Sequence, residues 1–366
     1  MKFIKLRNKK PVLPIMQGGM GVGVSRSSLA GAVAKEGGIG IISTAQIGYD
    51  EPDFETDTAD CNLRAIEKHI RLAKEKANGN GLVGVNVMHA LQHYKDHVMT
   101  AARAGADLIV CGAGLATDLP DLVVGTDAAI APIVSSRKAS ELIVRMWQKK
   151  YNRIPDLIVI EGPLAGGHLG FKRELLDELD TLDYDAEIRS ILEYVRTFGK
   201  ENGCYIPVFV GGGIMNQEDA DHIFSLGADG IQVATRFVAT WECDASPNYK
   251  QAYVNAKKED ITIIKSPVGM PGRALNNAFI KRTLTEPVSI RKCFRCIKNC
   301  NPSQIPYCIT KALIDAVNGD VENGLVFCGG RVDEIHEITT VRNVIDELLS
   351  LGAYKNTQPA QMAAGF

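Results

Sequence analysis

The chain contains, in close succession, the stretches Ile206-Pro-Val-Phe-Val-Gly-Gly-Gly-Ile214 and Gly227-Ala-Asp-Gly-Ile-Gln-Val-Ala-Thr-Arg236, which indicate its fold more clearly than any others. The first is a continuous apolar run that ends in three glycines, the pattern of a buried strand that stops at a tight turn. Residues 216–226 have helical spacing, and residues 230–234 form a second apolar run. Together they make a parallel β-α-β unit. Its glycines favour phosphate binding through backbone N–H groups, and the alternative is that they only form a tight turn.

Length and composition describe an ordinary globular protein. The chain has 366 residues, 45% of them apolar, and its 41 basic and 43 acidic residues leave a net charge of −2. We expect no nucleic-acid partner, because there is no basic excess, and no membrane span, because no run approaches about 20 apolar residues. The basic N-terminus is followed by prolines and glycines instead of a signal-peptide core, so we expect a cytoplasmic protein. An oligomer is possible.

Eight short apolar runs alternate with helical segments, the order typical of a parallel sheet with helical crossovers. Eight such units match the usual size of a TIM (β/α)8 barrel, which is the α/β fold that we predict. A doubly wound open sheet is the alternative, because strand order is not visible in a sequence. The predicted strands are residues 12–16, 39–43, 82–88, 107–111, 129–134, 157–160, 206–210 and 230–234. The predicted helices between them are residues 27–35, 62–77, 95–104, 137–150, 186–200 and 216–226.

The alternation stops near residue 240, and the rest of the chain is rich in proline. We therefore predict a cofactor-binding barrel at residues 1–240 and a C-terminal lid or substrate-covering subdomain at residues 241–354. A closing helix is predicted at residues 340–351, and a flexible tail at residues 355–366. The acidic residues 46–60 are predicted to form a solvated surface loop.

Polar residues and glycines follow five of the predicted strands, at the end where barrel enzymes place their active sites. Gln17, Asn86 and Gln232 offer amides that can pair with the edge of a flat ring. The glycines at these strand ends, which let a ligand approach the backbone closely, include Gly18, Gly166, Gly167, Gly212 and Gly213. Together these strand ends predict a cofactor pocket.

His168 is the candidate for proton transfer. It lies among Gly166, Gly167 and Gly170, which places it on a turn, where it can point into the pocket. A histidine with a pKa near neutrality suits proton transfer at a carbon next to an electron-withdrawing group. The alternative is a structural histidine with a satisfied hydrogen bond.

These strand ends also resemble a known family. The motifs are Pro14-Ile-Met-Gln-Gly-Gly-Met20, Gly84-Val-Asn-Val-Met88, Ala165-Gly-Gly-His168, Val210-Gly-Gly-Gly-Ile214 and Gly230-Ile-Gln-Val-Ala-Thr-Arg-Phe237, followed by Pro247-Asn-Tyr-Lys250. From about residue 10 to residue 280 the chain resembles the nitronate monooxygenase (2-nitropropane dioxygenase) family and its close relative, the flavin-dependent enoyl-acyl carrier protein reductase II. The resemblance implies a TIM barrel that binds FMN non-covalently.

The resemblance also implies roles for individual residues. His168 matches the family's active-site histidine, and Glu161 lies at a strand end near the expected flavin position. The residues expected to grip the phosphate are Gly212, Gly213, Ala234 and Thr235. Those expected to contact the flavin are Gln17, Asn86 and Gln232, with Gly18, Gly166 and Gly167 beside them.

Two activities are compatible with these motifs. The one that we favour is oxidation of a small alkyl nitronate, with His168 in proton transfer. The alternative is an enoyl reductase in which NAD(P)H reduces FMN and an enoyl thioester is the substrate. A second alternative is a flavin-binding sensor without turnover.

Five of the nine cysteines lie close together near the C-terminus, which departs from the family pattern. Cys293, Cys296, Cys300 and Cys308 have the spacing C-x2-C-x3-C-x7-C, and Cys328 follows. Four thiolates suit an iron–sulfur cluster or a structural zinc ion, and neighbouring arginines and lysines would offset the charge of a cluster. The alternative is reduced structural cysteines. A cluster would favour reductive chemistry.

Overall fold

Eight parallel strands close into a barrel in the computed structural model, which describes residues 3–179 and 182–351. Each barrel strand pairs with the next one, and Ile15 pairs with Ile231 where the first and last strands meet. The prediction of a TIM barrel is confirmed, and the open-sheet alternative is wrong. The barrel strands are β1 (Ile15–Gln17), β2 (Ile39–Ser43), β3 (Leu82–Met88), β4 (Leu108–Gly112), β5 (Ala129–Val134), β6 (Ile158–Glu161), β8 (Val208–Gly211) and β9 (Gly230–Val233).

Helices follow the barrel strands and surround them. Those of the barrel are α1 (Ser27–Lys35), α2 (Thr58–Ala77), α3 (Tyr94–Arg103), α4 (Leu119–Leu122), α5 (Arg137–Tyr151), α6 (Arg173–Asp177), α7 (Tyr184–Glu201), α8 (Gln217–Ser225) and α9 (Thr235–Val238). The later helices are α10 (Pro247–Val254), α11 (Ala278–Thr283), α12 (Ile309–Val317) and α13 (Val341–Leu348).

Several boundaries differ from the predicted ones for local reasons. Strand β8 begins two residues later than predicted, at Val208, and Pro207 before it has no N–H group for the sheet. Helix α2 begins at Thr58 instead of residue 62, because the side chain of Asp57 accepts a hydrogen bond from the backbone N–H of Asp60 and caps the helix. The acidic sequence before this helix suggested a loop and concealed the cap.

The hydrophobic core of the barrel has two layers, and the C-terminal part has a smaller cluster of its own. Side chains inside the barrel, among them Met16, Ile39 and Phe209, form one buried cluster, which Ile4 and Leu6 of the N-terminal segment join. A larger cluster lies between the strands and the surrounding helices. Because the barrel interior is filled, a ligand site is expected at the carboxyl ends of the strands.

The C-terminal part combines a small sheet with helices. Strand β7 (Gly167–His168), from the loop after β6, pairs antiparallel with β11 (Pro271–Leu275), which pairs with β10 (Ile261–Lys265). Helix α13 packs into the same core cluster as the barrel helices. The predicted division at residue 240 stays a prediction, and the predicted tail at residues 355–366 lies outside the described residues.

The segment at residues 46–60 is less solvated than predicted. Ile47 and Phe54 are buried, and the Phe54 ring stacks on Phe294 with ring centroids 5.4 Å apart. This loop therefore supports the C-terminal part instead of lying free on the surface.

In the part of the chain that the structure describes, no helix combines the length and the apolar character that crossing a membrane requires.

Candidate functional site

A cavity of about 220 Å³ opens at the carboxyl ends of the barrel strands. Most residues predicted for the cofactor pocket line this one cavity, together with the predicted proton-transfer residue. They are Gly18, Asn86, Glu161, Gly166, Gly167, His168, Gly212, Gly213, Gln232, Ala234 and Thr235. The structure thus brings together residues from the ends of β1, β3, β6, β8 and β9.

Gln17 is the exception among the predicted flavin contacts. Its side chain is fully buried, its Oε1 accepts a hydrogen bond from the Ile41 N–H at 3.1 Å, and its Nε2 donates to the carbonyl of Gly18. Gln17 therefore joins β1 to β2 inside the barrel wall and does not line the cavity. The next residue, Gly18, does so in its place.

The glycine turn after β8 has a conformation that only glycine adopts without strain. Gly212 and Gly213 have φ values of +107° and +83°, and a Cβ atom on Gly213 would lie 2.9 Å from Leu164 Cδ1. Their backbone N–H groups take part in none of the hydrogen bonds between described residues. Two free N–H groups at a strand end provide donors for an anion such as a phosphate.

A second glycine turn at the cavity comes from the C-terminal part and was not predicted. Gly329 and Gly330 line the cavity with Cys328 and Arg331. Arg331 donates from Nη1 to the Gly213 carbonyl and to Asp219 Oδ1, both at 2.7 Å. Its hydrogen bonds to Glu334 and to Asp219 raise the pKa of Arg331. Arg331 thus attaches this turn to the one after β8.

Asn86 presents a polar atom without a protein partner. Its Oδ1 is buried and has no hydrogen-bond partner in the described structure, and its Nδ2 lies 3.5 Å from the Gly19 carbonyl. A buried acceptor left unpaired costs about 1–3 kcal/mol. A ligand that donates an N–H group, as a flavin ring does, would remove this cost.

His168 is held by the C-terminal hairpin. Its backbone lies in β7, opposite Gly272 of β11, and its Nε2 is 2.7 Å from the hydroxyl oxygen of Ser266, just after β10. The Phe327 ring packs edge-on against the imidazole, with centroids 4.9 Å apart. Burial lowers the pKa of His168 to about 4, so the imidazole is neutral at neutral pH.

The loop before His168 is fastened by a buried arginine. Arg273 of β11 donates from Nη1 to the Pro163 carbonyl at 2.8 Å and to the Ala165 carbonyl. Its own burial lowers its pKa. A Cβ atom on Gly166 would lie 2.7 Å from the Cys328 carbonyl, so this loop packs directly on the C-terminal turn.

Glu161, at the end of β6, has an environment unlike that of a surface carboxylate. Burial raises its pKa to about 7, because the charged form loses its hydration. The side chain lines the cavity and is only partly accessible. Its charge therefore changes in the neutral range, next to the site where a ligand would bind.

Aromatic and apolar residues of the C-terminal part also line the cavity, and the prediction missed them. They are Tyr249 and Tyr253 of α10, Leu313 of α12, and Phe327. Tyr253 donates a hydrogen bond to the Phe327 carbonyl at 2.5 Å. These residues come from the region predicted as a lid. Only the Pro247-Asn-Tyr-Lys250 sequence, which resembles the family, was a signal for one of them.

The four cysteines predicted as metal ligands line a separate cavity of about 240 Å³, which we call the cysteine pocket. Its cysteines are Cys293, Cys296, Cys300 and Cys308. The fifth cysteine, Cys328, lies instead at the first cavity, where burial raises its pKa to about 12. Within residues 3–179 and 182–351, no group of three or more His, Cys, Asp or Glu side chains is arranged to hold a metal ion.

The prediction assumed that the charged neighbours of the cysteines would all face them, but they do not. Arg295 lines the cysteine pocket. Lys298 donates instead to the His89 carbonyl at 2.8 Å, and Lys292 pairs with Glu55 at 3.2 Å.

Comparisons with known structures agree with the barrel. FabK from Thermotoga maritima superposes with a TM-score of 0.68 at 24% identity, over 94% of this chain and 96% of that chain. Nitroalkane oxidase from Streptomyces ansochromogenes superposes with a TM-score of 0.70 at 18% identity, over 94% and 97% of the two chains. At these identities the likeness shows the fold alone.

Sequence comparison adds the family. Curated proteins of Staphylococcus aureus described as probable nitronate monooxygenases, from strains Newman and JH9, are 32% and 31% identical to this chain over 126 residues. Each alignment covers 34% of this chain and 33% of the relative, so the chain spans about a third of the length of these relatives. The model of the nitronate monooxygenase family matches residues 4–350. The chain belongs to the nitronate monooxygenase family.

Proposed function

We propose that the protein is an FMN-dependent oxidoreductase that oxidises alkyl nitronates. The observation that supports this most strongly is the composition of one cavity at the carboxyl ends of the barrel strands. Free backbone N–H groups, an unpaired amide oxygen and a neutral histidine all line it. Membership of the family, over residues 4–350, supports the same chemistry.

The chain offers groups that complement each part of FMN. Gly212 and Gly213 would hold the phosphate with their N–H groups, together with Ala234 and Thr235 after β9. Asn86 would accept a hydrogen bond from the ring. Gly18, Gly166, Gly167, Glu161 and Gln232 line the remainder of the cavity. When bound, FMN would serve as the electron acceptor, a role that no side chain of the protein can fill.

The proposed task of His168 is to take the proton from the carbon that bears the nitro group when the substrate enters as the neutral nitroalkane, which leaves the nitronate to be oxidised. Burial lowers its pKa to about 4, below the near-neutral value expected from the sequence, and leaves the imidazole neutral, the state that can accept a proton. With the Ser266 hydroxyl accepting from Nε2–H at 2.7 Å, Nδ1 keeps a free lone pair. The apolar side chains of Leu313 and Phe327, which line the cavity, would hold the alkyl part of the substrate and exclude water.

FMN titration of the purified, flavin-free protein tests this proposal. We expect saturable uptake of about one FMN per chain, followed by consumption of an alkyl nitronate by the loaded protein. A protein that takes up no FMN would contradict the proposal. Bound FMN without turnover of any nitronate or enoyl thioester would point instead to the flavin-binding sensor.

One observation favours the alternative, an enoyl reductase that uses NAD(P)H. All four predicted metal-ligand cysteines line one pocket, and a redox cluster there would suit reductive chemistry. The aromatic and apolar side chains that line the cavity could also receive the acyl chain of an enoyl thioester. Consumption of NADH or NADPH that depends on such a thioester would support this alternative.

We also propose that Cys293, Cys296, Cys300 and Cys308 hold a metal centre, either an iron–sulfur cluster or zinc. Their shared pocket supports this proposal, since four thiols from one short segment line the same space. Metal and sulfide analysis of anaerobically purified protein tests it. Protein without iron, sulfide or zinc would contradict it.

A further inference from the structure

We infer that the cysteine pocket binds a polynuclear iron–sulfur cluster, not a single zinc ion, and that this cluster fixes one wall of the flavin cavity. The inference rests on the metal centre proposed above, and it specifies which metal centre is bound and what it does. It depends on the size of the pocket, its backbone and lining, and its attachment to the barrel.

The size of the pocket distinguishes a cluster from a single ion. A zinc ion sits about 2.3 Å from each of four sulfurs and leaves no space between them. The cysteine pocket has a volume of about 240 Å³, whereas about 10–15 Å³ suffices for one water molecule. The four cysteines line this larger space, and among the described residues no three of their side chains converge on a single ion, so the pocket suits several iron and sulfide atoms better than one zinc ion.

The backbone between the cysteines is shaped to place N–H groups near sulfur. Arg295 and Asn299 have φ values of +48° and +61°, in the left-handed region that few residues other than glycine adopt. The Arg295 N–H donates to the sulfur of Cys293 at 3.4 Å. Hydrogen bonds of this kind stabilise the negative charge on cluster sulfurs.

The lining of the pocket is otherwise mostly apolar. Ile290, Phe294, Ile297, Ile305 and Ile309 contribute to it. An apolar shell limits the access of solvent to a metal centre and so protects it. Among the lysines and arginines interleaved with the cysteines, Arg295 lines the pocket and offers positive charge for a cluster held by four thiolates.

The cysteine segment is joined to loops that follow barrel strands. The backbone N–H of Gln92 donates to the Cys296 carbonyl at 3.0 Å, and the Lys298 N–H donates to the Ala90 carbonyl at 2.9 Å. Both contacts lie in the loop after β3, the strand that presents Asn86 and Met88 to the flavin cavity. A cluster would therefore stiffen a segment that already lies against this loop.

Helix α12 connects the two cavities. Cys308 immediately precedes its first residue, Ile309 lines the cysteine pocket, and Leu313 lines the flavin cavity. Four residues span about 6 Å along a helix, so the two cavities share this helix as a wall. Ligation of Cys308 would hold Leu313 in place.

The test is anaerobic purification of the full chain, with iron, acid-labile sulfide, zinc and FMN measured in the same preparation. We expect iron and sulfide in equal amounts, about two to four of each per chain. Cys300→Ser and Cys308→Ser should lose most of the iron and sulfide and bind FMN more weakly. Cys204→Ser, outside both cavities, is the matched control and should keep all three.

Zinc alone, or no metal, in the wild-type protein would overturn the inference, and this result does not depend on whether a variant folds. Full iron and sulfide in Cys300→Ser would also overturn it. A variant that loses the cluster yet binds FMN as tightly as wild type would overturn the role in fixing the wall. Iron and sulfide without any FMN would contradict the flavin proposal and leave the cluster in place.

Discussion

At the scale of single residues, the site depends on a pair that is distant in sequence. His168 and Ser266 are 98 positions apart, and their side chains meet at 2.7 Å because β7 pairs with the hairpin of β10 and β11. The sequence predicted the position of His168 at the cavity from the glycines around it. It could not predict Ser266, because nothing local to that residue reveals a partner on another loop.

Gln17 and Asn86 are a second case in which the sequence could not predict where a side chain lies. Both amides end apolar strands and looked equivalent in the sequence. The structure uses the Gln17 side chain to join two strands, whereas Asn86 keeps an unpaired oxygen in its buried surroundings. Strand register decides towards which face of the barrel wall a side chain at the end of a strand points. An apolar run in the sequence does not reveal this register.

Replacing His168 with Ala should lower turnover by roughly 10²–10⁴-fold, because one positioned base contributes about that much. FMN content should remain near that of wild type, since the glycine turns that would hold the phosphate are untouched. Steady-state kinetics and the flavin absorbance of the same sample measure both quantities. Full activity in this variant would end the proposed role.

Ser266→Ala should lower turnover less, by about 2–10-fold, the equivalent of one net hydrogen bond. The pH profile should change as well, because the imidazole loses the hydroxyl that fixes its tautomer. Ser225→Ala is the matched control, since the Ser225 hydroxyl bonds only to the His222 carbonyl on an exposed helix. Equal kinetic effects in the two variants would contradict a positioning role for Ser266.

Glu161→Gln should stabilise the flavin-free protein above neutral pH. The folded-state pKa of Glu161, about 7, exceeds the ordinary value of 4.5, so the folded state binds more protons between these values. The free energy of unfolding of wild type therefore falls as the pH rises through this window. We expect a gain of about 1–2 kcal/mol for the variant at pH 8.

Below about pH 4.5 the stability gain of Glu161→Gln should vanish, because Glu161 is then uncharged in both the folded and the unfolded wild-type protein. Urea unfolding at several pH values measures the difference. Glu201→Gln, at an exposed position, is the matched control for the substitution itself. A gain in Glu161→Gln that is constant with pH would contradict the raised pKa.

At the scale of secondary-structure elements, the barrel strands were predictable and the sheet beside them was not. Each barrel strand is a local apolar run, so its existence and approximate position appear in the sequence. Strand β7 has only two residues, and it exists because β11 pairs with it. A strand created by a distant partner leaves no local pattern.

The glycine turn after β8 offers a test at this scale. Gly213→Ala should weaken FMN binding by about tenfold or more, because the new Cβ strains a left-handed backbone and lies against Leu164. Gly203→Ala is the matched control, with a φ of +62° and no atom within 4 Å of the new Cβ. Equal FMN dissociation constants in both variants would contradict a phosphate site at this turn.

At the scale of the whole molecule, the C-terminal part completes the site. It contributes Tyr249, Tyr253, Leu313 and Phe327 to the lining of the cavity, and Arg331 attaches the second glycine turn to the first. The sequence predicted a cover over the barrel but not which residues it contributes. These residues reach the cavity through tertiary packing, in a proline-rich region without regular periodicity.

The central claim is that this cavity uses FMN to oxidise nitronates, and one measurement tests it most directly. FMN-loaded protein is mixed under anaerobic conditions with an alkyl nitronate, and separately with NADH or NADPH, while the flavin absorbance is followed by stopped flow. We predict rapid bleaching by the nitronate and none by either nicotinamide. Rapid bleaching by NADH or NADPH, followed by re-oxidation with an enoyl thioester, would contradict the claim and establish the reductase instead.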